Sequence, residues 1–94
     1  MRTRTINWTN QFKRDFKRES KGLYRRTLDK DIKTAVAMLA CDMRLEPRYS
    51  DHTLSGDWIG YRDSHIRPDL ILIYEKPDDT TLVLVRLGSH SELF

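Results

Sequence analysis

The sequence predicts an α+β fold in the order β-α-α-β-β-β, a helical hairpin packed on an antiparallel sheet, and three observations carry it. Leu28, Ile32, Ala35, Val36 and Leu39 follow one another at steps of four, three, one and three residues, which lines one face of a helix. Leu70-Ile71-Leu72-Ile73-Tyr74 and the run from Thr80 to Leu87 are rich in β-branched, aromatic and Leu residues and bounded by turn chemistry, as strands are. Pro68 fixes φ and has no N–H to donate, so the chain is expected to reverse near Arg67 and Pro68. That reversal joins Trp58-Ile59-Gly60-Tyr61-Arg62, a second strand, to the Leu70–Tyr74 run as a hairpin.

The remaining elements fall between these. Thr3 to Trp8 alternates moderately and is β-rich, which predicts a first strand. Thr9 or Asn10 can cap the helix that follows, because either side chain accepts from an orphan N–H of the first turn. Phe12 and Phe16 share its inner face, Leu23 lies about two turns on, and Gly22 suits its C-terminal stop. Arg44 to Ser55 has no period, contains Pro47, and is expected to be a loop carrying His52. Lys76-Pro77-Asp78-Asp79 has the composition of a type I turn leading into the last strand, and Gly88 is expected to break that strand before the Ser89–Phe94 tail.

Ninety-four residues support a single domain, residues 1–94, with one modest core. The lone Cys41 excludes an internal disulfide, and a reducing cytoplasm is the expected setting. The longest apolar run, Ala35 to Cys41, falls far short of the ~20 residues of a membrane span. Net charge is +3, but residues 1–49 carry +7 and residues 50–94 carry −4. A basic half joined to a histidine-bearing half suits a polyanion held by one and worked on by the other, although basic helix faces are commonly just solvated.

The chemistry is concentrated in Asp63-Ser64-His65-Ile66-Arg67-Pro68-Asp69, with His52 before it and Arg86 and His90 after it. His65 and Asp69 are expected to meet at the mouth of the Pro68 hairpin. Unperturbed imidazole titrates at about 6.5, so paired histidines can supply a neutral base and a protonated acid near neutral pH. That suits RNA cleavage, in which a base removes the 2′-hydroxyl proton, an acid protonates the leaving 5′-oxygen, and a cation such as Arg86 steadies charge on the phosphate. It needs no metal or other cofactor. A zinc site of two or three histidines with Asp69 is the alternative chemistry, but the spacing matches no metal motif. Asp63 and Asp69 also have a bland reading as turn residues or partners of Arg62 and Arg67, and Trp58, Tyr61 and Tyr74 as sheet residues. Phe94 either anchors the chain end or stacks on a base.

The stretch His52…Leu54-Ser55-Gly56-Asp57-Trp58-Ile59-Gly60-Tyr61-Arg62-Asp63-Ser64-His65…Pro68-Asp69-Leu70, followed by Arg86-Leu87-Gly88-Ser89-His90 and Phe94, resembles the YafQ family of RelE-superfamily toxins. Residues 49–94 carry the motifs; the first 48 agree in length, basic character and element order. The resemblance implies a RelE-like microbial-ribonuclease fold and a type II toxin that cleaves messenger RNA on the ribosome and is silenced by a bound antitoxin. It also implies a catalytic set of His52, His65, Asp69 and His90 with Asp63 adjoining, Arg86 on the last strand, and Phe94 near the substrate. Which histidine is base and which acid does not follow from it; His90 and His52 are the favoured partners, with Asp69 orienting or polarising one imidazole.

On this reading Lys13, Arg14, Lys17, Arg18, Lys21, Arg25, Arg26 and Lys30 would lie against ribosomal RNA phosphates, and charge reversal at Lys13, Lys17 or Arg18 would weaken toxicity without disturbing the fold. Two rivals use the same basic helices. A ParE-like gyrase poison has no use for three imidazoles at one end of a sheet, and a non-catalytic RNA-binding module would keep binding after loss of His90.

Overall fold

In the computed structural model, which describes residues 3–94, the chain forms a five-stranded sheet with two helices on one face and a short third helix on the other. Strand β1 (Thr5–Trp8) leads into α1 (Asn10–Glu19) through Thr9, whose hydroxyl accepts from the Phe12 N–H at 2.9 Å and donates to the Val85 carbonyl at 2.7 Å. One threonine thus caps the helix and ties its start to the sheet. Phe12 is buried, but so is Asp15, the polar residue that a count of apolar positions passes over. The helix stops at Glu19, short of Gly22, and Leu23 lies in the following turn at 83% exposure rather than on an apolar helix face. The strongly polar sequence after Phe16 offers nothing to bury against the sheet, so packing does not extend the helix.

Helix α2 (Leu28–Ala40) buries the expected stripe of Leu28, Ile32, Ala35, Val36 and Leu39, together with Ala40. It packs on the inner face of β3 (Arg62–Arg67), β4 (Leu70–Glu75) and β5 (Thr81–Gly88), where Ile66, Leu70, Leu72, Tyr74, Leu82, Leu84 and Leu87 complete one apolar cluster. Side chains alternate along a strand, so Ile71 and Ile73 project to the opposite face and form a second, smaller cluster with Leu93. The β3–β4 hairpin turns at Pro68-Asp69, as expected.

The sheet order is β1-β5-β4-β3-β2, with β2 (His52–Thr53) at one edge and β1 at the other. Two expectations are corrected here. The sheet is mixed, because β1 runs parallel to β5 while every other pairing is antiparallel. And Trp58–Arg62 is not a strand: Gly56–Trp58 is a single 3-10 turn and pairing begins at Arg62. Gly56 and Gly60 take φ of +65° and +92°, the left-handed region open to glycine, so the apolar run between them becomes a loop across the open face. Likewise Gly88 ends β5 as its last residue, and the tail is ordered as α3 (His90–Leu93) by a capping box between Ser89 and Glu92.

Candidate active site

Strand register assembles the site. Antiparallel partners point to one face, and His52 is opposite Asp63, Asp63 opposite Ile73, and Ile73 opposite Arg86. The next row is His65, Ile71 and Gly88. Two rows therefore carry two imidazoles, a carboxylate and a guanidinium onto the face that α1 and α2 leave open. His65 lies within β3, one row from His52, with their ring centroids 6.3 Å apart. It is not at the mouth of the hairpin, because β3 begins later and runs further than the sequence suggested.

His90 reaches the same face from α3. Asp69 in the hairpin turn accepts from the His90 backbone N–H at 3.1 Å, and Leu93 seats the helix on Ile71 and Ile73. Asp69 therefore holds the main chain of His90, a correction to the expectation that it orients an imidazole. The carboxylate that meets an imidazole is Asp63, with Oδ1 3.0 Å from His52 Nδ1. Asp63 is 3% exposed, and burial pushes its carboxyl above the usual range while positive charge on His52, His65 or His90 pulls it back.

The geometry at His52 sets its tautomer. Nδ1 lies 2.6 Å from the Ser50 carbonyl oxygen, which can only accept, so Nδ1 carries the hydrogen and Nε2 the lone pair of the neutral ring. The Nδ1–H is directed at Ser50, which leaves Asp63 Oδ1 buried without a hydrogen bond.

Arg86 is held differently. Its Nε and Nη2 donate to Asp15 at 2.8 and 3.3 Å, and Asp15, fully buried, also accepts from the Leu87 N–H and from Arg18. Strand β1 pairs with β5 only as far as Leu84, so beyond it α1 replaces a neighbouring strand: Asp15 takes the Leu87 N–H and Arg18 the Leu87 carbonyl. Burial alone would raise the Asp15 carboxyl, but Arg86, Leu87 and Gln11 outweigh it and leave it below the usual range. An aromatic wall borders the site. Phe94 sits 5.1 Å from the His90 ring and 6.3 Å from Trp58, which meets Tyr61 edge-on at 5.5 Å. Trp58 and Tyr61, expected only as sheet residues, were missed as site neighbours because the loop that brings them there depends on two glycine conformations.

A family model described as "Bacterial toxin of type II toxin-antitoxin system, YafQ" matches residues 4–94. The chain belongs to the YafQ toxin family. The mRNA interferase toxin YafQ of Escherichia coli strain K12 is 36% identical over 91 residues, 97% of this chain and 96% of that protein. The crystal structure of the E. coli DinJ-YafQ toxin-antitoxin complex superposes with a TM-score of 0.83 at 36% identity, covering 98% of both chains. A crystal structure of a metal-bound toxin from Helicobacter pylori is 40% identical over 96% of this chain and 98% of that one, with a TM-score of 0.80. The fold is thus that of the YafQ toxins. Among the described residues of this chain no three His, Cys, Asp or Glu side chains are arranged to hold a metal ion.

Lys13, Arg14, Lys17, Lys21, Arg25, Arg26 and Lys30 are all exposed on or beside α1 and α2, across the sheet from the histidines. Arg18 departs from that set and corrects the expectation that its charge can be reversed without cost. Its guanidinium bonds Asp15 at 3.0 Å and the Leu87 carbonyl at 2.9 Å and pairs with Glu92 at 3.1 Å, so reversal would break the α1–β5–α3 corner. No helix of the described residues is long and apolar enough to cross a membrane.

Proposed function

We propose that this chain is an endoribonuclease toxin that cuts translated messenger RNA on the ribosome by metal-free general acid/base catalysis, and so arrests translation in the cytoplasm. The observation that carries this reading is the strand register that sets His52 and His65 beside the buried Asp63 carboxylate on an open sheet face, which His90 reaches from α3. The name of the E. coli relative, an mRNA interferase, supports the reaction class.

His52, with Nε2 unprotonated, takes the proton of a ribose 2′-hydroxyl, and the 2′-oxygen attacks the adjacent phosphorus. The bond from phosphorus to the 5′-oxygen breaks, and His90 in its protonated form delivers a proton to that oxygen. The products are a 2′,3′-cyclic phosphate and a free 5′-hydroxyl. His65, beside His52, steadies charge on the phosphoryl oxygens when protonated. Arg86 Nη1, the nitrogen that Asp15 does not take, is a second donor to them. Phe94 and Trp58 offer faces for a splayed base.

The exposed cations of α1 and α2 dock on ribosomal RNA while the opposite face meets the messenger. A cognate antitoxin is the silencing partner, by analogy with DinJ bound to the E. coli toxin. A groove of about 440 Å³ lined by Ile6, Trp8, Phe12, Phe16, Ile32 and Val36, with Lys13 and the Lys33–Asp29 ion pair at its rim, suits the apolar face of an amphipathic antitoxin segment.

Primer extension on a message translated in a cell-free system, beside the same message left untranslated, tests the reading. Cuts confined to the translated message and lying at a fixed place within codons are expected. An intact translated message would overturn it and direct attention to a gyrase supercoiling assay.

A further inference from the structure

Beneath β2, on the face opposite the histidines, Asp51 accepts hydrogen bonds from Arg62 Nη2 at 2.7 Å, from Ser64 Oγ at 2.7 Å and from the Tyr74 hydroxyl. Arg62 Nε also donates to the Tyr74 oxygen at 3.3 Å. Ser64 is fully buried and Tyr74 is 1% exposed, while the Arg62 and Asp51 side chains are 39% and 22% exposed on that face, so the network is anchored in the interior and lies away from the histidine face. Burial acts to raise the Asp51 carboxyl, but the bonds from Tyr74, Arg62 and Ser64 hold it below its ordinary value, and the Tyr74 phenol is pushed up to about 12. Asp51 is therefore a fixed anion and Tyr74 a fixed donor at neutral pH.

Nothing in the cleavage chemistry uses these four side chains, yet they clamp the residue between Ser50 and His52. Ser50 has φ +46° and ψ +39°, the left-handed conformation that is strained for a residue with a Cβ and persists only where its surroundings impose it. Two anchors impose it here. The Ser50 N–H donates to the Pro47 carbonyl at 3.0 Å on one side, and the Asp51 carboxylate is locked into the interior on the other. The resulting turn aims the Ser50 carbonyl at His52 Nδ1, 2.6 Å away, closer than Asp63 Oδ1 at 3.0 Å, while the His52 ring itself is half exposed.

We propose that Asp51, Arg62, Ser64 and Tyr74 are positioning residues that hold Ser50 left-handed so that its carbonyl keeps His52 in the Nδ1–H tautomer, with Nε2 directed outward as the base. The inference rests on the proposed role of His52 in RNA cleavage. The device separates two demands: the imidazole stays exposed to meet RNA, while its orientation is set from the far side of the sheet.

The test is the tautomer of His52, read from imidazole nitrogen chemical shifts of ¹⁵N-labelled protein at a pH where the rings are neutral. The protein itself is expected to show a protonated Nδ1 and a lone pair on Nε2. Tyr74→Phe, which deletes a single hydroxyl and should leave the chain folded, and Asp51→Asn, each combined with Asp63→Ala to remove the second acceptor at His52 Nδ1, are expected to mix the tautomers where Asp63→Ala alone does not. As single substitutions they should slow cleavage of ribosome-bound message about tenfold. Neither variant should change ribosome binding. A His52 that keeps the Nδ1–H tautomer in both combined variants would overturn the inference, as would a native protein whose neutral ring is protonated on Nε2. A native protein with the locked tautomer but no cleavage would instead overturn the nuclease reading and leave the positioning device standing.

Discussion

Asp15 and Asp63 are both buried carboxylates, at 0% and 3% exposure, yet they are treated in opposite ways. Asp15 is surrounded by donors, two guanidinium groups and a main-chain N–H among them, and its carboxyl is held low. Asp63 has imidazoles for neighbours, an Oδ1 without a hydrogen bond, and a carboxyl pushed high by burial. The first arrangement secures an edge of the sheet that β1 does not reach. The second is poor for stability and places an anion where protonated histidines are wanted. The difference separates the part of the molecule that holds the chain together from the part proposed above to do chemistry.

Removing an imidazole from the second region is expected to have the largest effect. His90→Ala or His52→Ala should lower the rate of message cleavage about 10²–10⁴-fold and leave the melting temperature within a few degrees of the parent. Asp15→Ala should do the reverse, costing about 3 kcal/mol in urea unfolding. This is the low end for breaking a buried pair, because Arg86 and Arg18 remain partly exposed and can turn to solvent. An unchanged urea midpoint would remove the distinction between the regions.

Asp63→Asn should stabilise the fold at neutral pH by on the order of 1 kcal/mol, because it relieves an incompletely bonded buried anion, while reducing cleavage. The pH dependence gives this a sign. A carboxyl raised in the folded state costs stability when ionised, so the cost is present above its folded pKa and fades as pH falls toward the ordinary Asp value of about 3.9. The advantage of Asp63→Asn should therefore shrink on acidification. Asp15, lowered on folding, contributes stability above that ordinary value and loses it as pH falls through its folded pKa, so the penalty of Asp15→Ala should shrink in stronger acid. Thermal melts across pH distinguish the two.

The smallest effect on the fold should come from Lys17→Glu or Lys21→Glu, within about 0.5 kcal/mol in stability, since both side chains are exposed. Either should weaken ribosome binding and flatten its salt dependence. Arg18→Glu belongs with Asp15→Ala instead, and a melt as high as that of the parent would show that its ion pairs contribute little.

Legibility in the sequence followed the same division. The α2 stripe and the runs of β4 and β5 could be read directly because each buries a periodic apolar set. The start of β3 was misplaced because Trp58 and Ile59 are as apolar as a strand, and only the φ values of Gly56 and Gly60 make them a loop. Asp15 looked like one more charged residue on a polar helix; its burial depends on Arg86 and Leu87, far along the chain. The histidines could be named as a set from their positions near turns, and from the family resemblance. That Asp63 sits among them follows from register, which local sequence does not encode. The carboxylate predicted to serve an imidazole, Asp69, serves the His90 main chain because the hairpin turn lies under the start of α3.

The parallel pairing of β1 with β5 bears on the order in which the molecule can be made. Thr9 and Val85, bonded to each other, stand 76 positions apart, and the strand that receives β1 and supports α1 is the last of the sheet to be synthesised. A nascent chain that stops before Thr81 has a first strand with no template, a first helix with no floor, and no His90. Closing so long a loop is slow relative to helix formation. The ribosome that translates this chain must therefore pass β5 and α3 before the product can assemble the face with which, on the proposed reading, it would act on ribosomes.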